Sequence, residues 1–590
     1  MINLVNKFHK DKFLVSKGIV GIILIILSFG CSNESYQSKS ELTPFQTQPT
    51  VQKLASSFPQ EKEARPTPHL EATASPNTQY ITPIPSNNSP FIKSPPTINH
   101  LQNAMNAPLS GKKGGTLKLA SKDYFQSLDP HQNYSAAFST WGIGIIYQRL
   151  LKFSSGPNIS LPSKATECEI CKSWEMLDSK TFMFEIDTEN IWKTSSSNLS
   201  NISAVDVKFS LDRQIHMESQ NSNRFHMIRS VEIKPENHIQ INLHAPDADL
   251  FIALADGRSK LLSKSNVENY QFIDPANLAG SGPWKLSKLK DSYSSVENTY
   301  SAPNIPYLDA IEFHILPDSQ TRLSAYSVGL IDVYNIDDPS SNVDITFIEP
   351  NPGQGFEIAF NTGIPPFNDD HLRSLARATI DPDEIIRRAW SGNAFFSLGF
   401  STNDASWIPE DSIWKSHFFP FKKREHLNKT IPINITVSHF GPQFTKSVEI
   451  VADQLELIGF DPLINYVNRR EYTKVTRNQD DFHALMGPTF PHSSTNGYVI
   501  PVLHSKGLWN TTNHVDVKLD ELIEAQSQEY FSPKRSKIIK EINTHLLEKS
   551  YRFMPATQEN LWAWTQDLEN MYPNFSGFEY THWEKVWLDR

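Results

Sequence analysis

Cysteine is almost absent, with three residues in 590. So sparse a supply excludes the disulfide-dense scaffolds of small secreted domains and the repeated cysteine pairs of zinc-rich modules. A surplus of positive charge is missing too. The formal charge is −10, and Lys7, Lys10, Lys12 and Lys17 outweigh Asp11 at the start, so the remainder is more acidic still. That balance leaves no electrostatic footprint for nucleic acid. Long apolar runs are lacking: the one candidate, Gly18–Gly30, is uncharged but well short of the ~20 residues a spanning helix needs. Catalytic signatures are the last absence. There is no H-E-x-x-H, no G-x-S-x-G and no Walker loop. The glycines of KKGGTLKLA and LAGSGPWKL lack the spacing of a phosphate cradle, and the 19 histidines are scattered. No enzyme, resident metal or cofactor is expected from this chain.

What is present begins with "IILIILSFGCSNES", Ile22 to Ser35. A basic flank followed by a short apolar core is the layout of an export signal, here 1–30. The core stops on Leu27-Ser28-Phe29-Gly30-Cys31, a small residue, then cysteine, then a polar tail. This resembles the bacterial lipobox, which implies that Cys31 is lipidated and becomes the first residue of the mature chain. The protein is then expected to be exported and lipid-anchored at the cell membrane, facing the periplasm or the cell exterior. The other two cysteines form the C-x-x-C of "TECEICKSW". In an exported protein Cys168 and Cys171 are expected to close a small structural disulfide. A redox pair would want a thioredoxin-like βαβ pattern beside it, and a zinc site would want nearby ligands; the next histidine is His216.

Composition then changes. Residues 31–112 are rich in Pro, Ser, Thr and Asn, with isolated apolar residues and no period. Such a stretch cannot bury enough apolar area to offset the entropy of ordering. It is expected to be a disordered tether, averaging roughly 50 Å end to end for a coil of ~80 residues. The remaining ~480 residues exceed one core and imply at least two lobes. Strands and helices mix along them. "TFMFEID" (Thr181–Asp187) alternates like a half-buried strand, and "VEIKPENHIQINL" reads as a hairpin around Pro235-Glu236-Asn237. "IEFHIL", "SQTRLSAYSVG" and "IDVYNI" read as strand, helix and strand. "INITVSHF" precedes a helix over Phe444–Gly459, whose face is Val448, Val451, Ala452, Leu455 and Ile458, and "PLINYV" follows as a strand. That order predicts a βαβ unit with a parallel, right-handed connection. Val515–Gln526 and Pro533–Glu548 are two later amphipathic helices.

A series of segments, in order, resembles the bacterial extracellular solute-binding protein family 5, the peptide- and nickel-binding receptors of ABC importers. The segments are "KGGTLKLA" (Lys113–Ala120), "SLDPHQNYSAA" (Ser127–Ala137), "SWEMLDSKTFMFEI" (Ser173–Ile186) and "SAVDVKFSLDR" (Ser203–Arg213). They continue with "GSGPWKL" (Gly280–Leu286), "PYLDAIEFHILPDSQTRLSAYSVGLIDV" (Pro306–Val333) and "AFNTGIPPFNDDHLRSLARATIDPDEII" (Ala359–Ile386), and the likeness runs to the final "YTHWEKVWLDR". The resemblance implies an α/β, two-lobed periplasmic-binding-protein fold of the clamp-like type II, with a hinge and a cleft. Lobe I would be 113–354 with 560–590 returning to it, and lobe II 355–559. It implies a monomer that captures a peptide or other small solute and hands it to permease subunits of an ABC transporter. A sensor of the same fold, or a receptor for a sugar, an aromatic compound or a metal chelate, is the alternative.

The same resemblance marks where this chain departs from the dipeptide-binding members. There an aspartate holds the peptide's amino group, and a buried ammonium needs such a counter-charge. The matching stretch, "MGPTFPHSSTNGY" (Met486–Tyr498), has no acid, and Pro491 stands where the aspartate would. An arginine for the carboxyl end would fall in "SHFGPQFTK" (Ser438–Lys446), and none is there. By correspondence the ligand-contacting set is Tyr134, Ser135, Trp141, Trp407, His439, Phe440, Thr489, Phe490 and His492. Aromatic faces with a few hydrogen-bonding groups suit sugars, aromatic compounds or an uncharged peptide stretch. Trp141 also fits the core of an apolar helix. His492 by itself makes no metal site.

Overall fold

The computed structural model describes residues 111–590 apart from 123–126, 133–134, 157–158, 160–163, 195–197, 217–221, 271–272, 274, 291, 300–305, 337–342, 350–354, 397–416, 418–425, 479–481, 490–493, 559 and 574–581. The expected export signal, Cys31 and nearly all of the expected tether lie outside the described residues. Two large mixed sheets form the frame. The first has seven strands in the spatial order Trp284–Lys290, Tyr293–Asn298, Ala310–Ile315, Thr116–Ser121, Val333–Ile336, Asn560–Trp564, Phe347–Glu349. Its centre is parallel: Thr116–Ser121 runs alongside Ala310–Ile315 from Thr116↔Ala310 to Ser121↔Ile315, with Leu119 opposite Val333 on the other side. The outer pairings are antiparallel.

The strand–helix–strand reading of 311–336 appears as Ala310–Ile315, a helix over Ser319–Ser327 and Val333–Ile336. Asp318 opens the helix by accepting the Thr321 N–H at 2.7 Å, and Gly329 ends it at φ +71°. The two strands are not neighbours, because Thr116–Ser121 lies between them. Near the C-terminus Asn560–Trp564 pairs antiparallel with Val333–Ile336. Arg590 then bonds Asp332 at 3.1 Å, a carboxylate that also accepts the Lys118 N–H at 2.7 Å. The chain's end is thereby tied to the first strand of the same sheet.

The second sheet has six strands, ordered Ala394–Phe395, Arg552–Gln558, Gly355–Phe360, Ala484–Pro488, Ile431–Ser438, Phe460–Val467. The βαβ unit is there. Ile431–Ser438 and Phe460–Val467 pair in parallel, joined by the helix Pro442–Glu456. Val448, Val451, Ala452, Leu455 and Ile458 all turn inward and are buried. Pro442 sits in the first turn, where a missing N–H costs nothing, and Gly459 leaves the helix at φ +104°. Alternation along Gly355–Phe360 splits its two faces. Phe356, Ile358 and Phe360 enter the core beneath that helix, while Glu357 faces the opposite layer. There Val517–Ser527 and Ser532–Lys549 pack around Tyr498, Leu503, Ile523, Ile539 and Leu546.

A third, antiparallel sheet of four strands was not anticipated as a separate body. It orders Cys171–Asp178, Thr181–Ile186, His238–Leu243, Ile228–Lys234, with its own core against the helix Ala204–His216. The hairpin turns at Glu236 and Asn237, both at positive φ, which matches the strands' right-handed twist. Asn237 does more than turn: its Oδ1 accepts the Ala204 N–H at 2.7 Å at the start of that helix. Cys168 and Cys171 form a disulfide at the entry to this sheet, Cα atoms 5.0 Å apart. Among the described residues no helix is long and apolar enough to cross a membrane.

Candidate functional site

In open α/β sheets the crevice beyond the carboxyl ends of the parallel strands is where ligands bind. In the six-stranded sheet Ile431–Ser438, Phe460–Val467 and Ala484–Pro488 all run in one direction. Their ends deliver His439 and Phe440, then Asn468 and Arg469, then Thr489 to one side of the sheet. In the seven-stranded sheet the parallel strand Thr116–Ser121 delivers Lys122, whose Nζ reaches Asn335 at 3.1 Å.

An aromatic ledge stands at the first of these places. His439 is exposed and stacks on Tyr466, centroids 4.9 Å apart with the planes 5° from parallel. Phe440 is half-buried and held edge-on by Tyr472 at 5.0 Å and by Phe444 at 6.1 Å. The Tyr472 hydroxyl donates to the Met486 carbonyl at 3.2 Å. Burial, with the Glu357 charge nearby, pushes that hydroxyl's pKa up, so it stays a neutral donor at any physiological pH. Gly487 makes the packing possible: a Cβ there would lie 2.4 Å from the Tyr472 oxygen and 3.1 Å from Phe440 Cε2. Arg469 lies over the ledge, its Cζ 5.0 Å from the Phe440 centroid and Nη2 3.4 Å from the His439 carbonyl.

The remaining residues named from the sequence distribute unevenly. Thr489 is 2% exposed, its N–H donating to the Gly355 carbonyl at 2.9 Å and its hydroxyl 2.9 Å from Met554 Sδ. Ser135 is half-buried, and its carbonyl accepts the N–H groups of Phe138 and Ser139. Trp141 is buried, donates to the Ala120 carbonyl at 2.5 Å, and packs with Trp562 at 5.5 Å and Trp583 at 5.3 Å. That is a place inside the core of the seven-stranded sheet. Tyr134, Trp407, Phe490 and His492 lie outside the described residues. The structure thus joins His439 and Phe440 to Tyr466, Arg469 and Tyr472, three residues that sequence reasoning did not single out.

Beneath the ledge lies a buried polar network. The Tyr498 hydroxyl donates to Glu357 Oε1 at 2.5 Å, while Arg552 reaches Oε2 at 3.2 Å and Thr511 Oγ1 at 2.9 Å. Burial, then the Glu357 charge, drives the Tyr498 pKa far up. Every charge is answered within the network, so it serves to fix the strands rather than to react. Among the described residues no group of three or more His, Cys, Asp or Glu could hold a metal ion.

A second polar cluster joins the segment after the four-stranded sheet to the helices behind the six-stranded one. Arg535 donates to Asp249 at 2.7 Å, Asn496 N–H to the same carboxylate at 2.6 Å, and Asn496 Nδ2 to Asp247 at 2.9 Å. Burial and the neighbouring Asp249 charge push the Asp247 carboxyl up to about 6.

Two α/β layers, each with parallel strands ending on a crevice side, define the class: an α/β, two-lobed binding protein of the periplasmic type. The solved structure of the ABC transporter-associated periplasmic binding protein DppA from Helicobacter pylori, in complex with the peptide STSA, shares this fold. Its TM-score is 0.65 at 17% identity, over 81% of this chain and 99% of that one. The chain belongs to the bacterial extracellular solute-binding proteins, family 5, whose middle region matches residues 169–509. It is 22% identical over 332 residues to the dipeptide-binding protein DppE of Bacillus subtilis, covering 49% of this chain and 60% of that protein. It is also 22% identical over 442 residues to the heme-binding protein A of Haemophilus influenzae, covering 67% of this chain and 78% of that protein.

Proposed function

We propose that the protein is the substrate-binding lipoprotein of an ABC importer. It captures a peptide or similar small solute between two lobes, 113–354 with 560–590 and 355–559, and delivers it to membrane permease subunits. Family membership over 169–509 is the observation that carries this reading. The division of strands supports the lobes: the seven-stranded sheet draws on segments before 350 and after 559, and the six-stranded sheet on those between. A lipid on Cys31 and the tether 31–112 keep a monomer near its importer without a spanning helix. The candidate contacts Tyr134, Ser135, Trp407, His439, Phe440, Thr489, Phe490 and His492 belong to this reading, with Trp141 supporting them from the core.

A second reading takes a planar aromatic or chelate solute in place of a peptide. The exposed His439–Tyr466 stack beside Phe440 favours it, as does the similarity to a protein named for heme. Native mass spectrometry on gently purified full-length protein separates the two. A retained adduct with peptide masses supports the first, and one with a chromophore or metal supports the second. If neither an adduct nor binding to any peptide, sugar or chelate in a broad panel is found, the receptor function is refuted. Cys31→Ala is expected to move the protein from the detergent phase to the aqueous phase of a detergent extraction; no change would remove the lipid anchor.

A further inference from the structure

The stretch 438–446 holds no arginine, yet the fold brings one to it from elsewhere. Arg469 lies thirty residues on from His439, at the exit of the neighbouring parallel strand. Its guanidinium turns back over the Phe440 ring, Cζ 5.0 Å from the centroid. Among the described residues its one hydrogen bond is the 3.4 Å contact to the His439 carbonyl, and it forms no ion pair. The acid nearest in sequence, Glu471, accepts the Asn468 N–H at 3.3 Å and makes no ion pair with Arg469 among the described residues.

A guanidinium carries five N–H donors in a planar fork. The contact with Phe440 is made over the ring and uses no donor, and one long hydrogen bond leaves most of the five donors uncommitted. The support is rigid. Phe440 is wedged by Tyr472 and Phe444, Tyr472 is fixed to Met486, and Gly487 closes the layer without a side chain. A donor fork held in place before its partner arrives loses little freedom on binding. Beside it the His439–Tyr466 stack offers exposed aromatic surface.

We infer that Arg469 determines which solute is held. Its fork takes a carboxylate of the solute in a two-point bond, and Phe440 with the His439–Tyr466 stack carries the apolar or planar part next to that carboxylate. This rests on the reading of the chain as a solute receptor with its site at these strand ends. The arginine comes from a different strand end than the one where the resemblance looked for it.

The test offers full-length protein a pool of tryptic casein peptides and small aliphatic and aromatic acids, and separately the same pool with every carboxyl converted to an amide. Retained compounds are read by mass spectrometry after equilibrium dialysis. The native chain should retain acids over their amides by about tenfold or more. Arg469→Gln should abolish that preference, and Arg469→Lys should keep part of it, having the charge without the fork. Arg470→Gln, the adjacent exposed arginine, should behave as the native chain. If solutes are retained but acids and amides alike, or if Arg469→Gln keeps the preference, the role of Arg469 is overturned and the receptor reading stands. If a folded native chain retains nothing from either pool, the role of Arg469 is overturned, and the receptor reading is decided separately by the panel that includes sugars and chelates.

Discussion

Arg535 donates to Asp249 at 2.7 Å, and both groups are buried. One comes from the helix Ser532–Lys549 behind the six-stranded sheet, the other from the segment that follows the four-stranded sheet. Burial by itself would raise the Asp249 pKa, but Arg535 overcomes it and holds the carboxylate ionised. Removing one partner of such a pair leaves an uncompensated buried charge. Arg535→Met is therefore expected to destabilise the fold by about 3–5 kcal/mol. Urea unfolding measures it. Adding Asp249→Asn to that variant should recover much of the loss, and failure to recover would mean that the cluster is not held by charge.

Asp247, two residues away, carries a pH signature of opposite sign to the usual carboxylate. Its folded pKa, about 6, lies above the ordinary value of 3.8. Between those values the folded state holds the proton that the unfolded state has released. Stability from this group is thus highest at acid pH, falls as pH rises from about 4 to 6, and stays low above that. The groups facing Asp247 are Asp249, His226, Asn496 and, on its backbone N–H, the Tyr530 hydroxyl. Asp247→Asn keeps an acceptor for Asn496 and removes the charge. It should stabilise the protein at pH 7 by about 1–3 kcal/mol and flatten the stability profile across pH 4–6. An unchanged profile would show that the folded state does not raise the Asp247 pKa above its ordinary value.

Trp141 separates packing from recognition. Its indole N–H donates to Ala120, and its ring meets Trp562 and Trp583. Trp141→Phe keeps most of the apolar contact and loses one buried hydrogen bond. A stability loss of about 1–3 kcal/mol is expected, with solute affinity changed by less than about twofold where the protein is folded. A large loss of affinity with little loss of stability would move Trp141 into the solute's contact shell.

The disulfide spans only Glu169 and Ile170. A closed loop that short restricts the unfolded chain little. Replacing Cys168 and Cys171 together by Ser should cost about 2 kcal/mol, against ~3 kcal/mol for a fifteen-residue loop. Chemical unfolding with and without reductant provides the comparison. A loss well above that would point to strain or contacts in the native turn instead.

How much of this was legible in the sequence depends on how local each signal is. The unit over 431–467 could be read because Val448, Val451, Ala452, Leu455 and Ile458 repeat at helical spacing between two strand-like runs. The hairpin at Glu236-Asn237 was legible because two alternating runs flank a short turn segment. The insertion of Thr116–Ser121 between Ala310–Ile315 and Val333–Ile336 was not, since strand order is fixed by contacts roughly two hundred residues apart. Nor was the second use of Asn237 on Ala204. Resemblance pointed to His439 and Phe440, but it compares residues position by position. It therefore missed Arg469, which reaches the same place from another strand. Trp141 shows the converse: an aromatic residue near a motif cannot be sorted into core or cleft until its neighbours are known.

Gly487 is the residue on which the ledge geometry turns. It ends a run of buried strand residues, Ala484–Gly487, and no backbone constraint requires glycine there, since it is not among the positive-φ positions. The requirement is steric. A methyl group would stand 2.4 Å from the Tyr472 oxygen, so Gly487→Ala must drive Tyr472 off the Met486 carbonyl and unseat Phe440. Overpacking of this kind costs about 1–3 kcal/mol. Because Phe440 carries Arg469, solute binding should weaken more than stability does, by about tenfold or more at a temperature where the variant is fully folded. Isothermal titration with the retained solute, beside urea unfolding of the same samples, gives both numbers. Tyr472→Phe removes the hydroxyl that the methyl would strike, so the double variant should regain part of the affinity. If Gly487→Ala binds as the native chain does, the ledge is not where the solute sits.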